Sequence, residues 1–248
     1  MDDSALPSGG AGRQTHPRSP FLDRREAGRR LADRLQFYRG PDVVVLGVPR
    51  GGVPVAHEVA ARLCLPLDAI IVNKLRVPYQ PERAYGAISE DDTRIIDDVV
   101  VHSTFLTRTE LADTERNEHD RLRRRAEQFR RSRPRATLRG RTALIVDDTV
   151  ETGITARTAC RAAYRHGAIR VVLAVPIAPH RIVRALSYDA DKVVCLATLA
   201  HALPLDDSYL HCEPVTDTDV TNLLGSPMPI ASRHRPGHHH SPRPETAI

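Results

Sequence analysis

The 248-residue sequence contains no tryptophan, and phenylalanine and tyrosine together make up only 4% of it. So few rings argue against the aromatic-studded strands of the common RNA-binding modules. They also leave a core that must be packed from Val, Leu, Ile and Ala within an apolar fraction of 41%. No run approaches the roughly 20 consecutive apolar residues of a bilayer-spanning helix, so no membrane partner is expected. The four cysteines, Cys64, Cys160, Cys195 and Cys212, are widely separated and form no C-x-x-C pair. A reduced, cytoplasmic protein with small buried thiols is the simplest reading. Cys195, His201, His211 and Cys212 match no recognised zinc-ligand spacing. Lysine occurs only at positions 74 and 192 among 36 basic residues, so the formal charge of +5 is carried by arginine.

The densest basic run, 121–135, invites a nucleic-acid reading. Leu111, Leu122, Ala126 and Phe129 nevertheless fall at helical spacing, with Glu110, Asp113, Glu115, Glu118, Asp120 and Glu127 interleaved. That pattern describes an amphipathic helix with a partly self-paired solvent face, and no nucleic acid is expected as a partner. Residues 1–20 lack the apolar stretch of a secretory signal and read as a disordered leader. Residues 226–248, with the His238-His239-His240 triplet among Pro, Arg and Ser, read as a disordered tail.

Between these ends, five short apolar runs at 43–48, 67–72, 142–147, 170–175 and 192–196 are expected as strands of a parallel sheet covered on both faces. Helical segments at 52–63, 106–131, 154–166 and 179–187 lie between most of them. This alternation predicts an α/β fold of right-handed βαβ units, a five-stranded parallel sheet flanked by helices. Pro176 is expected to bound its strand. Residues 73–100 break the alternation. Their prolines, Gly86 and acidic residues predict a long loop with a small hairpin at 86–88 and 94–96, and long loops inside compact domains often serve as lids.

Two stretches carry chemistry. In TALIVDDTVETGIT, residues 142–155, an apolar run ends in Asp147 and Asp148; a Thr/Gly loop and a helix follow. A helix N-terminus offers unpaired N–H groups and partial positive charge to a phosphate. Carboxylates at the carboxyl end of a strand stand where open α/β sheets bind ligands. They can accept hydrogen bonds from sugar hydroxyls or hold a hydrated divalent ion. Taken alone, such acids often only cap the next helix. In VVVLGVPRGGVPVAH, residues 43–57, Pro49-Arg50-Gly51-Gly52 joins a strand to a helix. Its glycine amides can form an anion-binding concavity and Arg50 adds a charged fork, although a plain strand–helix turn would use the same residues.

Together the two stretches resemble the type I phosphoribosyltransferases. DDTVETGIT resembles the motif with which that family binds 5-phosphoribosyl 1-pyrophosphate (PRPP), and Pro49–Gly52 resembles its pyrophosphate loop. Lys74 to Ile88 resembles the K-x-x-x-P-x-x-P-E-x-x-x-G-A-I segment of a bacterial subgroup of uncertain substrate. The resemblance runs from about residue 21 to 224. It implies a core of about 40–196 and a small hood built from 21–39 and 197–225, with a flexible loop near 75–90 that closes over the site. It implies that Glu151, Thr152, Gly153, Ile154 and Thr155 cradle the 5-phosphate, and that Asp147 and Asp148 face the ribose hydroxyls and hold Mg²⁺, if need be through water. Arg50, Gly51, Gly52 and Lys74 would take the pyrophosphate, with a cis peptide between Pro49 and Arg50. Arg50, Lys74 and Glu151 are the implied catalytic residues. Glu151 departs from the subgroup, which usually has a small residue there. In hypoxanthine–guanine enzymes an Asp at the matching place acts on the purine N7 proton, so Glu151 reads either as such a base or as helix N-terminal electrostatics. The implied partners are PRPP and a nitrogenous acceptor, and a homodimer is expected. A non-catalytic PRPP or nucleotide sensor on the same fold stays open, although Arg50, Lys74 and both acids persist, which favours an enzyme. Tyr79, Tyr85 and Tyr209 are candidates for stacking on the acceptor, and each reads equally well as ordinary packing.

Overall fold

The computed structural model describes residues 20–131, 134–202 and 204–227. The leader to residue 19 and the tail from 228, with its histidine triplet, lie outside the described residues. The chain opens with α1 (Arg24–Arg34), whose N-cap Asp23 accepts from the Glu26 amide at 2.7 Å. Next come β1 (Val43–Gly47), α2 (Gly52–Leu63) and β2 (Leu67–Ala69). The segment β3 (Val72–Val77), β4 (Gln80–Ser89) and β5 (Arg94–Ile96) follows, then α3 (Asp98–Ser103) and α4 (Arg108–Phe129). The second half runs β6 (Thr142–Val146), α5 (Ile154–Arg165), β7 (Arg170–Pro179), α6 (His180–Leu186) and β8 (Lys192–Leu199), and ends in α7 (Leu205–Ser208) and α8 (Asp217–Gly225).

The five-stranded sheet has the order β2-β1-β6-β7-β8, every pair parallel, as the alternation predicts. Neighbouring residues of each strand point to opposite faces. Val45, Leu144 and Val172 therefore pack with α2 on one side, while Val44, Ile145 and Leu173 pack with α5 on the other. Both faces are buried, so the strands read as unbroken apolar runs.

Three sequence expectations need correction. The run 67–72 is not one strand: β2 ends at Ala69, and the chain crosses to a second sheet at Val72. Continuous apolarity cannot mark that change of partner, because Ile70 and Ile71 are buried on either assignment. Residues 73–97 are not a long loop but mostly strand, in an antiparallel sheet of order β3-β4-β5. Its outer hairpin pairs Gly86 with Ile96 and Ile88 with Arg94, at the positions expected for it. Pro78 and Pro81, read as loop markers, flank the tight β3–β4 connection, where the register shifts. Finally, β7 passes through Pro176 to Pro179. Pairing with β6 stops at Ala174, so Pro176 lies where β7 has lost one neighbour, and its missing N–H breaks no ladder there.

The long helix begins at Arg108 behind a Thr107–Glu110 capping box, with α3 as a separate element before it. Its Leu122 and Phe129 are buried, with Leu111 and Ala126 packed beside them, as the spacing predicts. The two ends of the described chain meet. Phe21 and Tyr209 form a bridge with ring centroids 6.0 Å apart, and the Leu210 amide donates to the Phe21 carbonyl at 2.9 Å. Among the described residues no helix is long and apolar enough to cross a membrane.

Candidate functional site

β1 and β6 are adjacent and in register, Gly47 beside Val146, so the loops that leave their carboxyl ends run side by side. The Val48 amide donates to the Val146 carbonyl at 2.9 Å and ties the two exits together. Glycine is required at this junction. A methyl at Gly51 would stand 1.9 Å from Asp148 Oδ2, and one at Gly52 would stand 2.7 Å from the Val146 carbonyl oxygen. The peptide bond between Pro49 and Arg50 is cis, as expected.

Asp147 and Asp148 are each only 9% exposed. The Asp148 amide donates to Asp147 Oδ1 at 2.9 Å, and the Thr149 amide donates to Asp148 Oδ1 at 2.9 Å. Burial pushes the Asp147 carboxyl well above the usual carboxylate range; the neighbouring Asp148 charge adds to this, and the Asp148 amide pulls the other way. An anionic pair packed this tightly favours a cation or hydrogen-bond donors on its open side.

The following loop turns through Gly153 at φ +83° into α5. Thr155 Oγ1, in the first turn of α5, is buried and has no hydrogen-bond partner among the described residues. Across the opening, Lys74 Nζ of β3 lies 3.3 Å from Glu151 Oε2.

These groups line one cavity of about 580 Å³. Arg50, Gly51, Lys74, Asp147, Asp148, Glu151, Thr152, Gly153 and Thr155 all border it, so nearly the whole expected set is gathered. Gly52 and Ile154 are not part of the lining: Gly52 packs its Cα against the acidic loop, and Ile154 is buried in the core beneath α5. The three candidate tyrosines are not there either, and for Tyr85 and Tyr209 the packing reading holds. Tyr85 and Tyr209 are fully buried, and Tyr79 is half exposed and donates to the Thr104 carbonyl. No aromatic side chain is among the described lining residues.

Sequence reasoning missed part of the wall. It includes Asn73 of β3, Glu118, Arg121 and Arg125 of α4, and Leu205 of α7, while Arg76 of β3, two residues beyond Lys74, borders the cavity with it. Asn73 Nδ2 donates to Glu118 Oε2 at 2.9 Å, and Arg125 Nη1 donates to Asn73 Oδ1 at 2.9 Å. Arg125 also reaches Asp217 of α8 at 3.3 Å. The α4 arginines are thus not all solvent-face residues. Glu118, Arg121 and Arg125 lie three and four residues apart, one helix face, and that spacing was the available signal. Arg24 is the other omission. Its Nε donates to Asp148 Oδ2 at 2.9 Å from 124 residues away, and no local pattern announces it.

The sequence pattern of the phosphoribosyl transferase domain family matches residues 22–204. Proteins of two Mycobacterium tuberculosis strains, MT0597 and Rv0571c, both named provisionally as phosphoribosyl transferases, are 51% identical over 204 residues. The alignment covers 82% of this chain and 46% of theirs, so the chain spans about half the length of these relatives. The crystal structure of TT1426 from Thermus thermophilus superposes with a TM-score of 0.68 at 39% identity, covering 82% of this chain and 97% of that one.

Proposed function

This chain belongs to the phosphoribosyl transferase domain family, and we propose that it transfers phosphoribose from Mg·PRPP to a nitrogenous acceptor with release of pyrophosphate. One observation carries the reading. Arg50 and Gly51 of one loop and Glu151, Thr152, Gly153 and Thr155 of the other flank a buried carboxylate pair in a single cavity, and the buried Thr155 Oγ1 has no partner among the described residues.

In this reading the first-turn amides of α5, with the Thr152 and Thr155 hydroxyls, take the 5-phosphate. Arg50, Lys74 and the Gly51 region take the pyrophosphate. Asp147 and Asp148 accept from the ribose hydroxyls. Two carboxylates are hard oxygen donors that fit Mg²⁺; they would hold it, directly or through water, and it would neutralise negative charge on the pyrophosphate. Holding both ends of PRPP aims C1 at the acceptor nitrogen. The C1–O bond breaks with its electron pair leaving on pyrophosphate, the acceptor nitrogen supplies the pair for the new C1–N bond, and the acceptor then loses its proton. Arg50 and Lys74 stabilise the departing charge. Glu151 is paired with Lys74 at 3.3 Å, and this ammonium would offset the repulsion between its carboxylate and a phosphate on α5.

Calorimetric titration with Mg·PRPP, followed by a screen of nitrogenous acceptors for pyrophosphate release, tests the proposal. Saturable binding and turnover with one acceptor class are expected, and no binding at millimolar PRPP overturns it. Binding without turnover on any acceptor would instead favour a sensor. Glu151→Gln should leave the melting temperature nearly unchanged, since a half-exposed ion pair contributes about 0–1 kcal/mol. It should lower kcat; an unchanged kcat would assign Glu151 to loop electrostatics only.

A further inference from the structure

Asp148 is held by parts of the chain that lie far from its own loop. Arg24 opens α1, and its guanidinium donates through Nε to Asp148 Oδ2 at 2.9 Å and through Nη1 to the Glu213 carbonyl at 2.8 Å. Tyr209 donates its hydroxyl to the Asp148 main-chain carbonyl at 2.7 Å, and the Arg24 guanidinium lies 5.5 Å from the Tyr209 ring centroid. With the Thr149 amide on Oδ1, each oxygen of Asp148 has a donor. Two of those three donors come from the segments that meet at the Phe21–Tyr209 bridge. Among the described residues Asp147 has no such distant donor; its carboxylate accepts from the next amide in its own loop.

The Arg24–Asp148 pair is buried, with side chains 9% and 12% exposed. Stability alone is a weak reason to keep such a pair, because well-packed apolar residues often do as well. What a fork with two fixed donors provides is direction. A carboxylate has about four acceptor sites. Arg24 and the Thr149 amide occupy one on each oxygen, which restricts how the carboxylate can turn and leaves the remaining sites for a ligand.

We propose that Arg24 is a positioning residue for the sugar. Together with Tyr209 it holds the Asp148 carboxylate in the orientation that accepts from the ribose 2- and 3-hydroxyls, so sugar recognition depends on the docking of the two chain ends. The inference rests on the ribose reading of the acidic pair.

The test compares ribose 5-phosphate with 2-deoxyribose 5-phosphate by calorimetry. The wild-type protein should prefer the ribose by about ten- to a hundredfold, as expected of a hydrogen bond to a carboxylate. In Arg24→Gln that ratio should fall towards one, while affinity for the deoxy sugar, set by the phosphate loop, stays near wild type. Arg24→Lys restores the charge but not the fork, so it should recover melting temperature without recovering the ratio. A wild-type ratio in Arg24→Gln, or equal loss of both sugars, overturns the proposal. Should Arg24→Gln fail to fold, Arg24→Lys and Tyr209→Phe carry the test, and a wild-type ratio in both overturns it. A wild-type protein that binds neither sugar, or both equally, removes the ribose reading itself before any variant is compared.

Discussion

Asp147→Asn is expected to raise the melting temperature of the ligand-free protein while weakening its binding of Mg·PRPP. Asp147 is buried against Asp148, and burial first, then that neighbouring charge, holds its carboxyl well above the usual range. A carboxyl whose folded pKa exceeds its unfolded value of about 3.9 keeps, in the native state, a proton that the unfolded chain has released. Stability therefore falls as pH rises through the window between the two values, and neutral pH lies above the lower edge of that window. Asn keeps an oxygen for the Asp148 amide but removes the charge. Each ~1 kcal/mol relieved should appear as about 2–4 °C in a domain of this size, and the gain should shrink as the buffer approaches pH 4. Ligand binding should move the opposite way, weakening by about ten- to a hundredfold, because Asn cannot become the charged acceptor that Asp147 would be when Mg·PRPP draws off its proton. Thermal melts across pH and calorimetry with Mg·PRPP read both effects. A lower melting temperature would show that Asp147 is not strained, and unchanged affinity would show that it does not face the ligand.

Gly52→Ala is expected to damage both stability and binding. The added methyl would sit 2.7 Å from the Val146 carbonyl oxygen and 2.8 Å from Asp147 Cα. Both are main-chain atoms at the end of β6, fixed by its pairing with β1, so neither can turn aside as a side chain would. The start of α2 must move away from the acidic loop, at a cost of about 1–3 kcal/mol. The distance between the 50–52 and 151–155 loops changes with it, and a substrate held at both ends, as proposed, would lose its alignment. Gly51→Ala offers a contrast. Its methyl meets the Asp148 carboxylate at 1.9 Å, a side chain that Arg24 holds in place, so sugar binding should suffer more than melting temperature. If Gly52→Ala keeps wild-type melting temperature and PRPP affinity, the two loops are not mechanically linked.

Much of the fold and the loop side of the cavity was legible in the sequence because both are local. The apolar runs that become β1, β6 and β7, the acids that end β6, and the Thr/Gly turn into α5 are contiguous, and their spacing carries strand, loop and helix geometry directly. The Leu122–Phe129 face of α4 was legible for the same reason. Residues 72–96 were less so. Prolines and acids look alike in a loop and in a short antiparallel sheet, and only the pairing of Lys74 with Ala87 and of Ala87 with Ile95 separates them.

The sequence by itself determined an α/β sheet, a strand–acid–loop–helix site beside a glycine loop, and the family to which the chain belongs. Tertiary structure alone decided which side of α4 faces the cavity, that no tyrosine lines it among the described residues, and that Arg24 holds Asp148. Periodicity reports what a residue does within its own element. Which distant elements meet is set by the sheet order and by the docking of the chain ends, and a contact across 124 residues leaves no mark on the spacing around either partner.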